Sequence, residues 1–345
     1  MILMLSLLVL GTPSKPPVAP VKVVTTLTTY AAIAREIVGD HGEVSAIGSA
    51  YENPHYVQPK PSFAPLLAGA DVFVTTGLDL ELWVPALLDK ASNPKVTEGG
   101  PGYVAAYNGI QLLDAPTSYS RTQGDIHVFG NPHIWTDPLN AVQIARNILT
   151  GLKRVAPDQA AFFTSREADF EQRIYRALYG DQLVALLGGE TLAGLDRQGK
   201  LFDFLASKSY QGAPLANRLG GWLKEGLVFR GKPLVCYHKE WDYFSREFQA
   251  PCVDYIEPKP GIPPTPSHVQ DVIQEMKQQH IQVLFSTTYY DRNQVEEVAA
   301  RTGAKAVIVP GNAGGEPGTD SYVGLMTLWV RSLAQAFGAP AAAAP

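Results

Sequence analysis

The sequence predicts an α/β protein of two lobes, each a parallel sheet flanked by helices, joined by a long rigid connecting helix. Three observations carry that expectation. Short β-branched runs alternate with amphipathic stretches from Val21 onward and again beyond Leu234, the pattern of parallel strands layered with helices. Asp158 to Tyr179 keeps a helical apolar spacing through Phe162, Ala168, Ile174 and Leu178 with no internal Gly or Pro. At 345 residues the chain also exceeds what one hydrophobic core usually supports.

Residues 1–20 read as a signal-like segment and linker: an apolar run from Ile2 to Leu10, then a Pro-rich stretch to Pro20. The run is too short to span a bilayer and has the length of a secretory h-region, although no Lys or Arg precedes it. No Cys stands near it to carry a lipid. The expectation is a soluble, periplasmic protein.

The N-terminal lobe is expected over 21–157. Strands are predicted at Val21–Thr26, Val44–Ile47 and Val72–Thr75, and helices at Ala31–Val38, Phe63–Ala68, Glu81–Lys90 and onward from Pro138. The connecting helix is placed at 158–180; at about 1.5 Å per residue it reaches roughly 30 Å, the length of a lobe. The C-terminal lobe, 181–338, has predicted strands at Leu234–Tyr237, Val253–Ile256, Val283–Ser286 and Ala306–Ile308. Gly188 to Gly231 looks less regular and receives no role. The tail 339–345 is Ala and Pro only, so disorder is expected there.

Composition narrows the function. Hydrophobic residues are 46% and charged residues 18%, which fits a chain that folds throughout. The net charge of -5 and the lack of any Lys/Arg cluster argue against nucleic acid as a partner, and a monomer is expected. Cys236 and Cys252 are too few for a disulfide scaffold. Cys236 comes late in one predicted strand and Cys252 opens the next. Between parallel neighbours that offset should exceed the roughly 7 Å between Cα atoms that a disulfide tolerates, so two free thiols are expected.

Three histidines have settings suited to a ligand. His55 follows Asn53-Pro54 and His133 follows Asn131-Pro132. In each, Pro fixes its own φ and pushes the preceding Asn towards extended geometry, so the imidazole is presented from a stiff loop. His238 follows the apolar run Leu234–Tyr237, at the carboxyl end of a strand, where open α/β sheets bind ligands. Any one of them alone is more simply a loop or core histidine satisfied by hydrogen bonds. Two in the first half and one in the second suit a metal held between lobes. Asp320, in a Gly-rich loop before the last helix, is the expected fourth ligand, with helix capping as its plainer role. His127 is a weaker candidate as an accessory ligand. Glu257 could fix a ligand histidine from behind.

Three imidazoles and one carboxylate favour zinc over calcium or magnesium, with manganese or iron as alternatives. Free imidazole titrates near about 6.5, so affinity is expected to fall steeply below that pH. The chain lacks Gly-x-Ser-x-Gly, His-Glu-x-x-His, P-loop and dinucleotide motifs, so no enzyme is expected. A secreted zinc-dependent hydrolase is the alternative, weakened because four protein ligands close a site that catalysis keeps open.

Taken in order, these motifs resemble the metal-specific solute-binding proteins of zinc and manganese ABC transporters. The first strand is matched by Val23-Val24-Thr25-Thr26 and the first ligand loop by Asn53-Pro54-His55-Tyr56 with Pro59-Lys60-Pro61-Ser62. Ala70-Asp71, Gly77-Leu78 and Glu81-Leu82-Trp83 resemble the next unit. Gly130-Asn131-Pro132-His133 with Asp137-Pro138 resembles the second ligand segment, Tyr237-His238 with Trp241 and Tyr243-Phe244 the third, and Asp320-Ser321-Tyr322 the fourth. The resemblance implies two α/β lobes joined by a long helix, an ion between them, limited hinge motion and a membrane permease as partner. Three departures stand out. Ser286 replaces a carboxylate common at that strand end, and only Asp125 and His127 stand where zinc-type relatives carry a His- and acid-rich loop. Gly188–Gly231 is longer than the usual connection.

Overall fold

The computed structural model describes residues 19–115, 127–257, 259 and 261–340. The signal-like segment up to residue 18, Asp125 and residues 341–345 of the expected disordered tail lie outside them. Among the described residues no helix is long and apolar enough to cross a membrane.

The first half runs β1 (Val21–Thr25), α1 (Thr28–Val38), β2 (Gly42–Ala46), α2 (Phe63–Ala68), β3 (Val72–Thr75), α3 (Val84–Ala91) and β4 (Tyr103–Ala105). The strands form one sheet in the order β2-β1-β3-β4, parallel throughout. β1 therefore sits between β2 and β3, with Val23 opposite both Val44 and Val72. Every residue of β3 is buried, as a strand covered by helices on both faces requires. Successive side chains divide between the faces. Val23, Val72 and Val74 pack with Ile33 and Ile37 of α1, whereas Val24 and Phe73 pack with Phe63 and Leu67 of α2 and Leu87 of α3.

Two long helices follow, α4 (Pro138–Val155) and α5 (Ala160–Tyr179). Asp137 caps α4 by accepting from the backbone N–H groups of Leu139 and Asn140 at 2.7 and 3.2 Å, and Pro138 costs nothing at the first helical position. α5 buries Phe163, Phe170, Ile174, Tyr175 and Leu178 along one side. It is anchored to the first half through Arg166, which donates to the carbonyl of Glu36 at 2.8 Å. Gly180 ends it at φ 86°, and a Cβ there would stand 2.5 Å from the Cα of Gly220, so only glycine allows the chain to turn against its own later segment.

After α6 (Asp181–Leu187), the stretch read as irregular holds α7 (Gly189–Arg197), α8 (Leu201–Ser207), a short hairpin of β5 (Ser209–Tyr210) and β6 (Ala213–Pro214), and α9 (Gly221–Gly226). Its pieces are short and punctuated by glycine, and they bury Leu192, Leu201 and Leu205 in the common core. The second sheet has β7 (Leu234–Cys236), β8 (Cys252–Tyr255), β9 (Val283–Thr287) and β10 (Lys305–Val309) in the parallel order β10-β9-β7-β8. Around it lie α10 (Asp242–Phe248), α11 (Pro266–Gln278), α12 (Arg292–Thr302) and α13 (Tyr322–Ala336).

One apolar core continues from the first sheet through α4 and α5 to Phe285 and Trp329 of the second. Polar links reinforce it. Trp135 donates to the carbonyl of Gly311, Tyr322 to that of Trp135, and Thr29 to the side-chain oxygen of Asn312, at 3.0, 2.9 and 2.9 Å.

The two cysteines form a disulfide, against the expectation of free thiols; their Cα atoms are 5.6 Å apart. The pairing register explains the difference. Cys252 lies opposite Leu234, and an irregularity between Leu234 and Val235 then advances β8, so that Cys236 faces Tyr255. That local distortion brings the two cysteines inside bonding range.

Candidate metal centre

His55 sits in a single 3₁₀ turn, Pro54–Tyr56. The side-chain oxygen of Asn53 accepts from the His55 backbone N–H at 3.0 Å, and Trp83 donates to the Pro54 carbonyl at 3.0 Å. His133 repeats the device: Asn131 accepts from the His133 backbone N–H at 3.0 Å. The Asn-Pro-His tripeptide is thus a self-bonded turn in both places. His238 follows β7, the strand held between β8 and β9, at the carboxyl edge of the second sheet.

These three rings converge. Their centroids are 5.2, 5.4 and 5.7 Å apart, and one ring nitrogen from each lies within 4.8 Å of the other two. His133 and His238 are buried and His55 half-buried. The Nε2 atoms of His55 and His133 are 3.1 Å apart. Two nitrogens on a tetrahedral zinc, with bonds of about 2.0–2.1 Å, stand about 3.3 Å apart.

Hydrogen bonds on the far side of two rings decide which nitrogen carries the proton. His238 Nδ1 lies 2.9 Å from the carbonyl oxygen of Glu257. A carbonyl only accepts, so Nδ1 holds the hydrogen and Nε2 is left as a bare lone pair. That Nε2 is buried with no hydrogen-bond partner. His133 Nδ1 lies 2.9 Å from Asn131 Oδ1. The Asn131 amide nitrogen already donates to the Lys239 carbonyl at 2.7 Å and to Asp242 at 3.1 Å, which fixes the oxygen towards His133. His133 Nε2 is therefore also an unprotonated lone pair, facing His55 Nε2, and both rings have the tautomer that metal ligation needs.

Burial, then the neighbouring imidazoles, hold His55 and His133 well below the ordinary imidazole range. Burial pushes His238 down to about 4, against the Glu257 carbonyl, which favours the protonated ring. The cluster is neutral at pH 7, and the expectation that proton competition sets in near 6.5 needs revision for these buried rings.

Asp320 is not brought into this group. It is exposed, lining a surface hollow with Arg35 and Glu36, and the neighbouring Ser321, not Asp320, caps α13 by accepting from the Gly324 N–H at 3.0 Å. Glu257 supports His238 as foreseen, but through its backbone carbonyl; its carboxylate accepts from the Gly261 N–H at 3.0 Å. Sequence reading gave no part to Asn131 beyond stiffening its loop. Its position two residues before His133 was the available signal. Glu240 is also new: fully buried, it accepts from Thr287 and Tyr289 at the end of β9, and burial pushes it up to about 8. A carboxyl group thus does stand near the strand end occupied by Ser286, delivered from the loop after β7.

The family model described as zinc-uptake complex component A, periplasmic, matches residues 23–177 and 216–336. The iron-binding protein YfeA of Yersinia pestis is 26% identical over 325 residues, 92% of this chain and 86% of its own. The zinc-binding protein AdcA of Streptococcus pyogenes is 27% identical over 163 residues, 45% of this chain; the match spans only 32% of AdcA. A crystal structure of ZnuA superposes with a TM-score of 0.65 at 18% identity, covering 92% of this chain and all of that one. A manganese-bound periplasmic metal-binding protein from Candidatus Liberibacter asiaticus gives 0.64 at 16%, covering 92% and 99%. At such identities the structural likenesses speak for the fold alone, while the family match extends over most of the sequence on both sides of α6–α8: the chain belongs to the family of the periplasmic component A of zinc-uptake complexes.

Proposed function

We propose that this protein captures a divalent transition metal, zinc foremost, through Nε2 of His55, His133 and His238, and passes it to the membrane permease of an ABC importer without chemically altering anything. The supporting observation is the convergence of three neutral imidazoles, two of them locked in the ligating tautomer by groups that can only accept a hydrogen bond. Nitrogen donors suit zinc better than calcium or magnesium. The names of the relatives, one zinc-binding, one iron-binding and one manganese-bound, keep Mn²⁺ and Fe²⁺ as secondary cargoes. The family's periplasmic setting suits capture outside the cytoplasm.

Thermal melts of the full chain with zinc or EDTA test this reading. At free zinc about 100 times the dissociation constant, ligation adds about 2.7 kcal/mol, a rise of about 4 °C for a chain of this size. His133→Ala and His238→Ala should abolish the rise and Asp320→Ala should retain it. A full zinc response in both histidine-to-alanine variants would refute the site.

A further inference from the structure

A fourth imidazole stands beside the three. His127 stacks on His55 with centroids 5.0 Å apart and meets His133 at 5.8 Å. Its Nδ1 lies 3.1 Å from Oδ1 of Asp79, whose Oδ2 accepts from the Val128 N–H at 2.8 Å. With Nδ1–H donated to the carboxylate, Nε2 is the bare nitrogen, and it is buried with no hydrogen-bond partner. A carboxylate behind a histidine is the arrangement that orients a ligating ring and raises its basicity.

Asp79 is itself held in place. It lies in the loop from β3 to α3, two residues before Glu81, whose buried carboxylate accepts from the hydroxyls of Thr26, Thr75 and Thr76 and from the Thr76 N–H. On the other side the Asn131 N–H donates to the Leu113 carbonyl at 2.7 Å, pinning the chain four residues after His127. His127 is thereby tethered through its side chain, with the chain held again at Asn131.

Resting on the three-histidine reading, we infer that His127 is the fourth ligand, tethered by Asp79, and that the complete shell of four imidazole nitrogens makes the site select zinc over manganese. His127 stands next to the group whose nitrogens lie within 4.8 Å of one another and is not part of it, so the ring closes on the ion by a small movement about its Asp79 tether. Four nitrogens arranged tetrahedrally suit Zn²⁺, whereas Mn²⁺ prefers oxygen donors in a larger shell.

The test uses the full chain with Zn²⁺, Mn²⁺ and Co²⁺ as probes. Affinities come from chelator competition, and coordination from the visible absorption of Co²⁺, which is intense only in tetrahedral sites. His127→Ala is expected to weaken zinc by at least about 10–100-fold, to weaken manganese much less and to lose the tetrahedral cobalt spectrum. Asp79→Asn, which keeps the shape but removes the carboxylate, should move zinc affinity in the same direction by a smaller factor. Unchanged zinc affinity and cobalt spectrum in His127→Ala, while His133→Ala loses tight binding, would overturn this assignment and leave the three-histidine site standing. Tight binding retained in both variants would overturn both.

Discussion

Lowering the pH from 7.5 to 5.5 separates a buried, preorganised site from three ordinary histidines. Zinc must displace any proton held on a ligating nitrogen. An imidazole titrating at about 6.5 costs a factor of about 11 in affinity at pH 5.5, so three would cost on the order of 10³, or roughly 4 kcal/mol. His238, held near 4 by burial, costs a factor of about 1 at that pH. His55 and His133 are shifted in the same direction by the same cause and by mutual proximity. The expected loss of zinc affinity between pH 7.5 and 5.5 is therefore less than about tenfold, with the steep fall postponed until the pH nears the depressed values. The sign is definite: groups depressed in the folded state resist protonation there, so what acid removes is removed later than in a peptide. Titration against a chelator whose zinc affinity is known at each pH measures the change. A loss near 10³, with log Kd rising by about three per pH unit below 6.5, would show that the rings titrate as exposed imidazoles and would refute the reasoning.

Two further outcomes follow from groups outside the ligand nitrogens. Asn131→Leu removes the acceptor that sets the His133 tautomer, so zinc should bind about 10–100-fold more weakly, read by the same competition assay on variant protein shown by its EDTA melt to be folded; unchanged affinity would mean the tautomer is set by other means. Replacing Cys236 and Cys252 by serine opens a loop of sequence separation 16 and should cost about 3 kcal/mol by loop entropy, lowering the EDTA melting temperature by about 4 °C. The zinc-induced rise should survive in that variant, because the N–H of Glu257 still donates to the Tyr237 carbonyl at 2.7 Å beside His238.

The fold was legible where local signals and burial coincide. β3 matched its expected bounds because all four of its residues are apolar or β-branched and all are buried. α3 begins at Val84 and not at Glu81 because the Glu81 carboxylate is drawn to the sheet edge by Thr26, Thr75 and Thr76 at the ends of β1 and β3, contacts 5 to 55 residues apart that no local pattern contains. The disulfide was misjudged for a similar reason. It depends on the register between β7 and β8, a property of the paired strands and not of either one.

Among the candidate ligands, those presented through backbone chemistry were the easier to single out, whereas His127, held by side-chain chemistry, stood only as a weaker candidate. Asn-Pro-His announces a stiff turn, and a histidine after an apolar strand announces a sheet edge, so His55, His133 and His238 could be singled out as candidates, and the fold brings their rings together. Asp320 was chosen because a shell of three imidazoles called for one more ligand and a carboxylate stood in a suggestive loop; in this structure it is exposed and stands apart from the three rings. His127 has the opposite character. Its sequence neighbours, Ile126 and Val128, say nothing of a ligand, and what orients it is Asp79, 48 residues earlier and held on a separate loop. A carboxylate that selects a ring tautomer acts through space. That explains why the second half of a histidine–carboxylate pair is found by folding the chain and not by reading along it.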